Sequence, residues 1–282
     1  MLKVLEPGFF TTIQDNGRFQ YRDIGVPVSG AMDGYSSQFA NVILGNTSDM
    51  AVLEITMVGP KLQFLKPTFI VISGAQMQPK LNGKRIEHNM MVQVRPNDIL
   101  SFGKLESGFR AYLAIKGGFK TEVVLGSRSM YVPVTDKDRV KAGDILNYKP
   151  FEFKISAKNA ALNYRTSVIG SNELQVFKGP EYGLLNSNIK EKLENISFKV
   201  SSLNNRMAYQ MESVLINDLD TILTGPVLPG TVQLTPSGKL IILMRDCQTT
   251  GGYPRVLQLT HSSINVLSQK FSGNDIKFRL GE

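Results

Sequence analysis

Pro229-Gly-Thr-Val-Gln-Leu-Thr-Pro-Ser-Gly-Lys-Leu-Ile-Ile-Leu-Met-Arg-Asp-Cys-Gln-Thr-Thr-Gly-Gly-Tyr-Pro-Arg255 sets one short apolar run, Ile241 to Met244, between segments rich in Gly, Pro and polar residues. A run of this length with branched residues reads as a buried strand rather than a helix. Asp246, Gln248, Thr249, Thr250, Tyr253 and Arg255 then crowd donors and acceptors around two glycines. A rigid element that ends in such a set suits a preformed site for a carboxylate, an amide or a phosphate. The plainer alternative is a hairpin turn with incidental polarity.

Outward from this stretch the same grammar repeats. Thr68 to Ser73, Met90 to Val94, Ile99 to Phe102, Arg110 to Ile115, Leu174 to Phe177, Ser197 to Val200 and Leu240 to Met244 are short β-like runs between turn residues. The expected class is mainly β, built as barrels or sandwiches with a few short helices. Three segments echo one another: Val94-Arg-Pro-Asn-Asp-Ile-Leu100, Val140-Lys-Ala-Gly-Asp-Ile-Leu146 and Phe271-Ser-Gly-Asn-Asp-Ile-Lys-Phe278. Each sets a tight turn before a β-forming pair, Asx or Gly supplying the local hydrogen bond and the positive φ. Gly59-Pro60 and Gly179-Pro180 recur as well, and together these echoes suggest two related units, 1–160 and 161–282, with a soft boundary near 150 to 165. Helices are expected where Asp33 caps a stripe of Tyr35, Phe39, Val42 and Ile43 closed by Gly45. Two more are expected, along Leu185, Ile189 and Leu193, and at Ile264 with Leu267.

Composition narrows the function classes. The chain has 282 residues, one cysteine and two histidines, so an internal disulfide framework and a Cys/His zinc cluster are excluded and no metal site is expected. Neither a leader-like apolar core nor a membrane-length run is present, which makes cytoplasm the default location. The net charge of +8 comes from scattered Lys and Arg. Without a basic stripe it implies a mildly basic surface rather than a nucleic-acid or membrane partner. No G-x-S-x-G or G-x-G-x-x-G occurs, and Gly225 to Thr231 has P-loop glycine spacing with Thr in place of the lysine. Cys247 after an apolar run reads as core rather than as a nucleophile paired with His261.

A second polar, glycine-rich stretch runs from Phe10 to Gly34 and offers Gln14, Asp15, Arg18 and Tyr21, with Gly17, Gly25 and Gly30 allowing close backbone approach. A carboxylate in such a polar, glycine-rich segment can serve as a base, and Asp15 and Asp246 are the two expected to do chemistry. Gln14, Arg18, Tyr21, Gln248, Thr249, Thr250, Tyr253 and Arg255 are expected to bind substrate. Asp33, Glu54 and Arg128 have plainer roles open to them: a helix cap, an arginine partner and a turn anchor.

That stretch, with Leu53-Glu-Ile-Thr56, Ile72-Ser-Gly-Ala75, Tyr112-Leu-Ala-Ile-Lys-Gly-Gly-Phe119, Val124-Leu-Gly-Ser-Arg-Ser129, Asn205-Arg-Met-Ala-Tyr209 and Gln248-Thr-Thr-Gly-Gly-Tyr-Pro-Arg255, resembles one family. It is the family of the 5-oxoprolinase C-type subunits, the allophanate hydrolase subunit 2-like proteins and the biotin-dependent carboxyltransferases. The likeness spans nearly the whole chain in order and departs at Phe19-Gln20, Met130, Ala208 and Cys247. The resemblance implies two cyclophilin-like β-barrel units, a related B-type partner subunit and a LamB/YcsF-like A-type subunit. It implies a lactam or amide substrate, ATP used by the complex, and no covalently bound cofactor. The activity implied is the opening of 5-oxo-L-proline to L-glutamate. Two alternatives are a carboxyltransferase half fed by biotin from elsewhere, the chain having no Met-Lys-Met attachment site, and an antagonist of a kinase inhibitor.

Overall fold

The computed structural model describes residues 1–152 and 162–281, so the change of unit expected at 160 to 161 lies outside the described residues. The chain is mainly β, with four α-helices among the described residues, and each of the seven short apolar runs contributes to a strand. No helix among them is long and apolar enough to cross a membrane. The chain divides into two compact units: Met1–Gly17 with Asp33–Ile169, and Arg18–Met32 with Gly170–Glu282.

The first unit holds a six-stranded and a five-stranded sheet. In the latter the strand Ser107–Ile115 lies antiparallel between Val52–Thr56 and Thr68–Gln76. Eight of its nine residues are buried, which is why it carries no polar alternation. Leu2, Ile13, Leu53, Phe64, Ile72, Leu113 and Phe119 are among the side chains of the core. Asp33 caps the helix Gly34–Ile43 by accepting the Ser36 N–H at 3.0 Å, and Gly45, at φ 63°, follows its end. The expected stripe needs one correction: Val42 is 47% exposed, and Ser36, Ser37, Phe39, Ala40 and Asn41 are the buried positions. Small polar residues can face inward here because the helix covers a polar layer. Beneath it Tyr112 donates from its hydroxyl to Glu54 at 2.9 Å and accepts the Asp33 N–H at 2.8 Å.

The second unit is a closed seven-stranded barrel. Around it run Glu173–Lys178, Arg255–Leu259, Thr231–Leu234, Lys239–Leu243, Ala208–Val214, Phe198–Asn204 and Asp275–Leu280. Closure leaves no unpaired edge. Phe198 and Phe278, both buried, approach to 5.4 Å between ring centroids. Met32, which arrives with the early segment Arg18–Met32, belongs to the same apolar cluster. The helices Ser187–Asn195 and His261–Ser268 are the two expected for this half, capped by Asn186 and Thr260.

The three sequence echoes are three copies of one turn. Asp98 accepts the Arg95 N–H at 2.7 Å, Asp144 that of Lys141 at 2.8 Å, and Asn274 that of Phe271 at 3.0 Å. The preceding residues, Asn97, Gly143 and Gly273, have φ of 72°, 89° and 90°, a region open to Gly and Asn. Each donates its N–H to a strand carbonyl, that of Phe64, Val4 or Val200. The same strand residue returns a bond to the carbonyl of Asp98, Asp144 or Asn274. Two copies lie in the first unit and one in the second.

Candidate functional site

In the second unit the loop after Lys239–Leu243 meets the early segment Arg18–Met32. Asp246 and Arg206 form a two-pronged ion pair at 2.7 and 3.1 Å, both side chains less than a tenth exposed. A second Nη2 bond of Arg206 ties the carbonyl of Gly30 at 2.7 Å. Arg22 reaches the carbonyls of Val227 and Thr249 from the same segment. Beside it the Cys247 thiol is fully buried and pushed up to about 11 by that burial, with Arg22 pulling the other way. The thiol is therefore protonated at neutral pH and a poor nucleophile. Among the buried polar atoms around this loop, Arg22 Nη1, a donor, and Gln248 Oε1, an acceptor, have no partner among the described residues. An unmet pair of this kind costs stability unless a ligand supplies the missing partners.

The other residues singled out in the loop are mostly engaged. Arg255 gives Nε and Nη2 to Glu181 at 2.9 and 2.7 Å and Nη1 to the Pro226 carbonyl at 3.0 Å. Thr250 lies in the two-residue strand Thr250–Gly251, paired with Gly225–Pro226. Tyr253 is 39% exposed, and its carbonyl accepts from Gln233 at 3.3 Å. In the early segment, Arg18 is buried and donates its N–H to Val28 at 2.6 Å, while the Tyr21 carbonyl accepts from Val26. Arg22, Arg206 and Glu181 are the site residues missed from sequence. Arg22 and Arg206 lie inside motifs that carried the family resemblance, which was the available signal.

Gln14 and Asp15 belong to the first unit. Gln14 is fully buried and bonds through Nε2 to Thr12 and to the carbonyl of Met130. Asp15 Oδ1 accepts from Gly17 N–H at 2.8 Å and from the hydroxyls of Ser127 and Ser129 at 2.6 and 2.7 Å. Its Oδ2 accepts the Arg128 N–H at 2.6 Å. Four donors nearly fill the lone pairs of a carboxylate, so Asp15 holds the loop 124–130 in place. Glu54 has its arginine partner, Arg110, at 3.8 Å.

A family model, carboxyltransferase domain, subdomain A and B, matches residues 24–280. The C subunit of 5-oxoprolinase from Haemophilus influenzae is 30% identical over 287 residues, and that from Escherichia coli K12 is 28% identical over 290; each match covers 99% of this chain and 90% of the relative. The urea amidolyase of Lachancea kluyveri is 48% identical over 130 residues, 46% of this chain and 7% of that enzyme. Among solved structures, TTHA0988 superposes with a TM-score of 0.87 at 26% identity over 99% of this chain, which spans 56% of TTHA0988's length. The K. lactis urea amidolyase gives 0.86 at 29% identity, over 98% of this chain and 18% of that one. With matches across nearly its full length in sequence and in fold, the chain belongs to the carboxyltransferase domain, subdomain A and B, family.

Proposed function

We propose that the chain is the C-type subunit of an ATP-dependent 5-oxoprolinase, which opens 5-oxo-L-proline to L-glutamate and is inactive without its partner subunits. The observation that carries this is the end-to-end match, 99% of this chain against 90% of two relatives named as the C subunit of 5-oxoprolinase. The second unit's loop is chemically suited to such a substrate. A lactam offers one carbonyl oxygen and one N–H, and the buried Arg22 Nη1 and Gln248 Oε1 are one donor and one acceptor still to be met. A donor aimed at the carbonyl gains strength as negative charge builds there when water adds and the C–N bond breaks. Asp15 and Asp246 remain the carboxylates proposed for proton transfer, and either can act as a base only by releasing a partner it now holds. A related B-type subunit and a LamB/YcsF-like A-type subunit supply the rest of the machinery, including the use of ATP.

Carboxyl transfer is the second reading, favoured by the higher identity, 48%, to the Lachancea kluyveri urea amidolyase over its 130 matched residues. In that case a separate carrier brings the biotin. Co-purification with the neighbouring subunits and an assay of ATP-dependent glutamate release from 5-oxoproline decides between them. The oxoprolinase reading expects release only when this chain is present. Undiminished release without it, or urea-dependent consumption of carboxybiotin in its place, overturns that reading.

A further inference from the structure

Within the first unit a cavity of about 330 Å3 is lined by side chains that include Asp15, Asp49, Met50, Phe119, Lys120 and Arg128. Small-molecule sites run from roughly 300 to 1,000 Å3, so the space admits a compact ligand. Its two acids are already engaged: Asp15 by the four donors described above, Asp49 by the Thr47 hydroxyl. Its two bases are not, since among the described residues neither the Lys120 ammonium nor the Arg128 guanidinium has a hydrogen bond or ion pair. What the two bases lack is an anionic partner.

Arg128 is mounted on a constrained stretch of backbone. Val124 and Ser127 bridge across a two-residue turn whose Leu125 and Gly126 have φ of 51° and 75°. Asp15 then grips the next residues, accepting from the Ser127 hydroxyl, the Arg128 N–H and the Ser129 hydroxyl. Arg128 therefore leaves a backbone fixed on both sides while its side chain stays uncommitted. Elsewhere in the lining Gly118 has φ 69°, and a Cβ there would stand 2.9 Å from that of Met50, so this part of the wall depends on glycine. A guanidinium carried on a fixed backbone, with no partner to give up, can turn its planar fork to an arriving anion.

We propose that this cavity binds a small organic carboxylate, gripped by the Arg128 fork and assisted by the Lys120 point charge. The proposal goes beyond the oxoprolinase reading and is tested without turnover. Calorimetric titration of the full chain with 5-oxo-L-proline, L-glutamate, uncharged 2-pyrrolidone and inorganic phosphate gives the readout. At least one of the two carboxylates is expected to bind and 2-pyrrolidone is not. Arg128→Gln should weaken carboxylate binding roughly 10- to 100-fold, Lys120→Gln by less, and Arg128→Lys should restore part of the loss. Thermal unfolding of each variant confirms that the chain is folded. Equal binding by 2-pyrrolidone, phosphate bound in place of the carboxylates, no carboxylate bound, or an unchanged affinity in folded Arg128→Gln overturns the site. An oxoprolinase-negative complex in which this chain still binds carboxylate through Arg128 overturns the function and leaves the site standing.

Discussion

Arg255 spends all three guanidinium nitrogens inside the second unit, two on Glu181 and one on the Pro226 carbonyl. That changes what its removal does. Arg255→Ala should lower stability by about 1–3 kcal/mol, because Glu181, largely buried, loses its counter-ion and keeps only the backbone N–H of residue 255; urea unfolding of the two proteins measures it. The hydrogen bonds from Arg255 hold Glu181 below its ordinary carboxylate value of 4.5 despite opposing burial. Its stabilisation is thus complete above that value and lost as pH falls through the lower folded one. The gap between wild type and Arg255→Ala should close in acid, and a gap that persists unchanged there would remove the ion pair as its cause. Cys247, pushed up to about 11 by burial, should resist alkylation at about pH 8 in the folded protein and react once urea unfolds it. Rapid labelling of the native chain would contradict that. The sequence flagged Asp15, Asp246 and Arg255 as chemically loaded but could not supply their partners. Ser127, Arg206 and Glu181 lie 112, 40 and 74 positions away, and spacing along a chain carries no record of contacts that distant.

Strands were legible where an apolar run was short and bounded, and illegible where polar residues are buried within them. Phe10–Gln14 and Val52–Thr56 carry Thr12, Gln14 and Glu54 in fully buried positions, so neither shows the alternation of a half-exposed strand. The repeated turn was readable because its chemistry is local: an Asx or Gly at the αL position and an Asx side chain folding back three residues. Glycine can also hide a demand that only the fold reveals. Gly74 sits inside the strand Thr68–Gln76 at φ 85°, where an added Cβ would stand 2.6 Å from the Arg110 carbonyl. The pairing of this strand with Ser107–Ile115 shifts register between Ser107 and Ala111. Gly74→Ala should therefore cost about 1–3 kcal/mol, from φ strain and from the clash together. A thermal midpoint equal to wild type would show that the strand relaxes freely.

For the whole molecule, the β class and the family likeness were legible throughout, whereas the path of the chain between units was not. Residues Arg18–Met32 leave one unit, complete the other and hand the chain back at Asp33. Their anchors include the Arg22 bonds to the Val227 and Thr249 carbonyls, the Arg206 bond to Gly30, the Arg245 carbonyl that accepts from Ser29, and Met32 in the barrel's apolar cluster. Arg206→Ala strips the buried Asp246 of its counter-ion and the early segment of a tether together, and should cost about 3–5 kcal/mol. Chemical denaturation tests this, and a loss under about 1 kcal/mol would show that the segment is held without it. The detour also imposes a timetable. On the ribosome, Arg18–Met32 emerges long before any strand of the barrel it fits, so it must wait, unsheltered, while Asp33–Ile169 is made. The barrel can acquire its full interior only from a piece of chain that is already old, and a ribosome stalled midway would leave that piece with nothing to join.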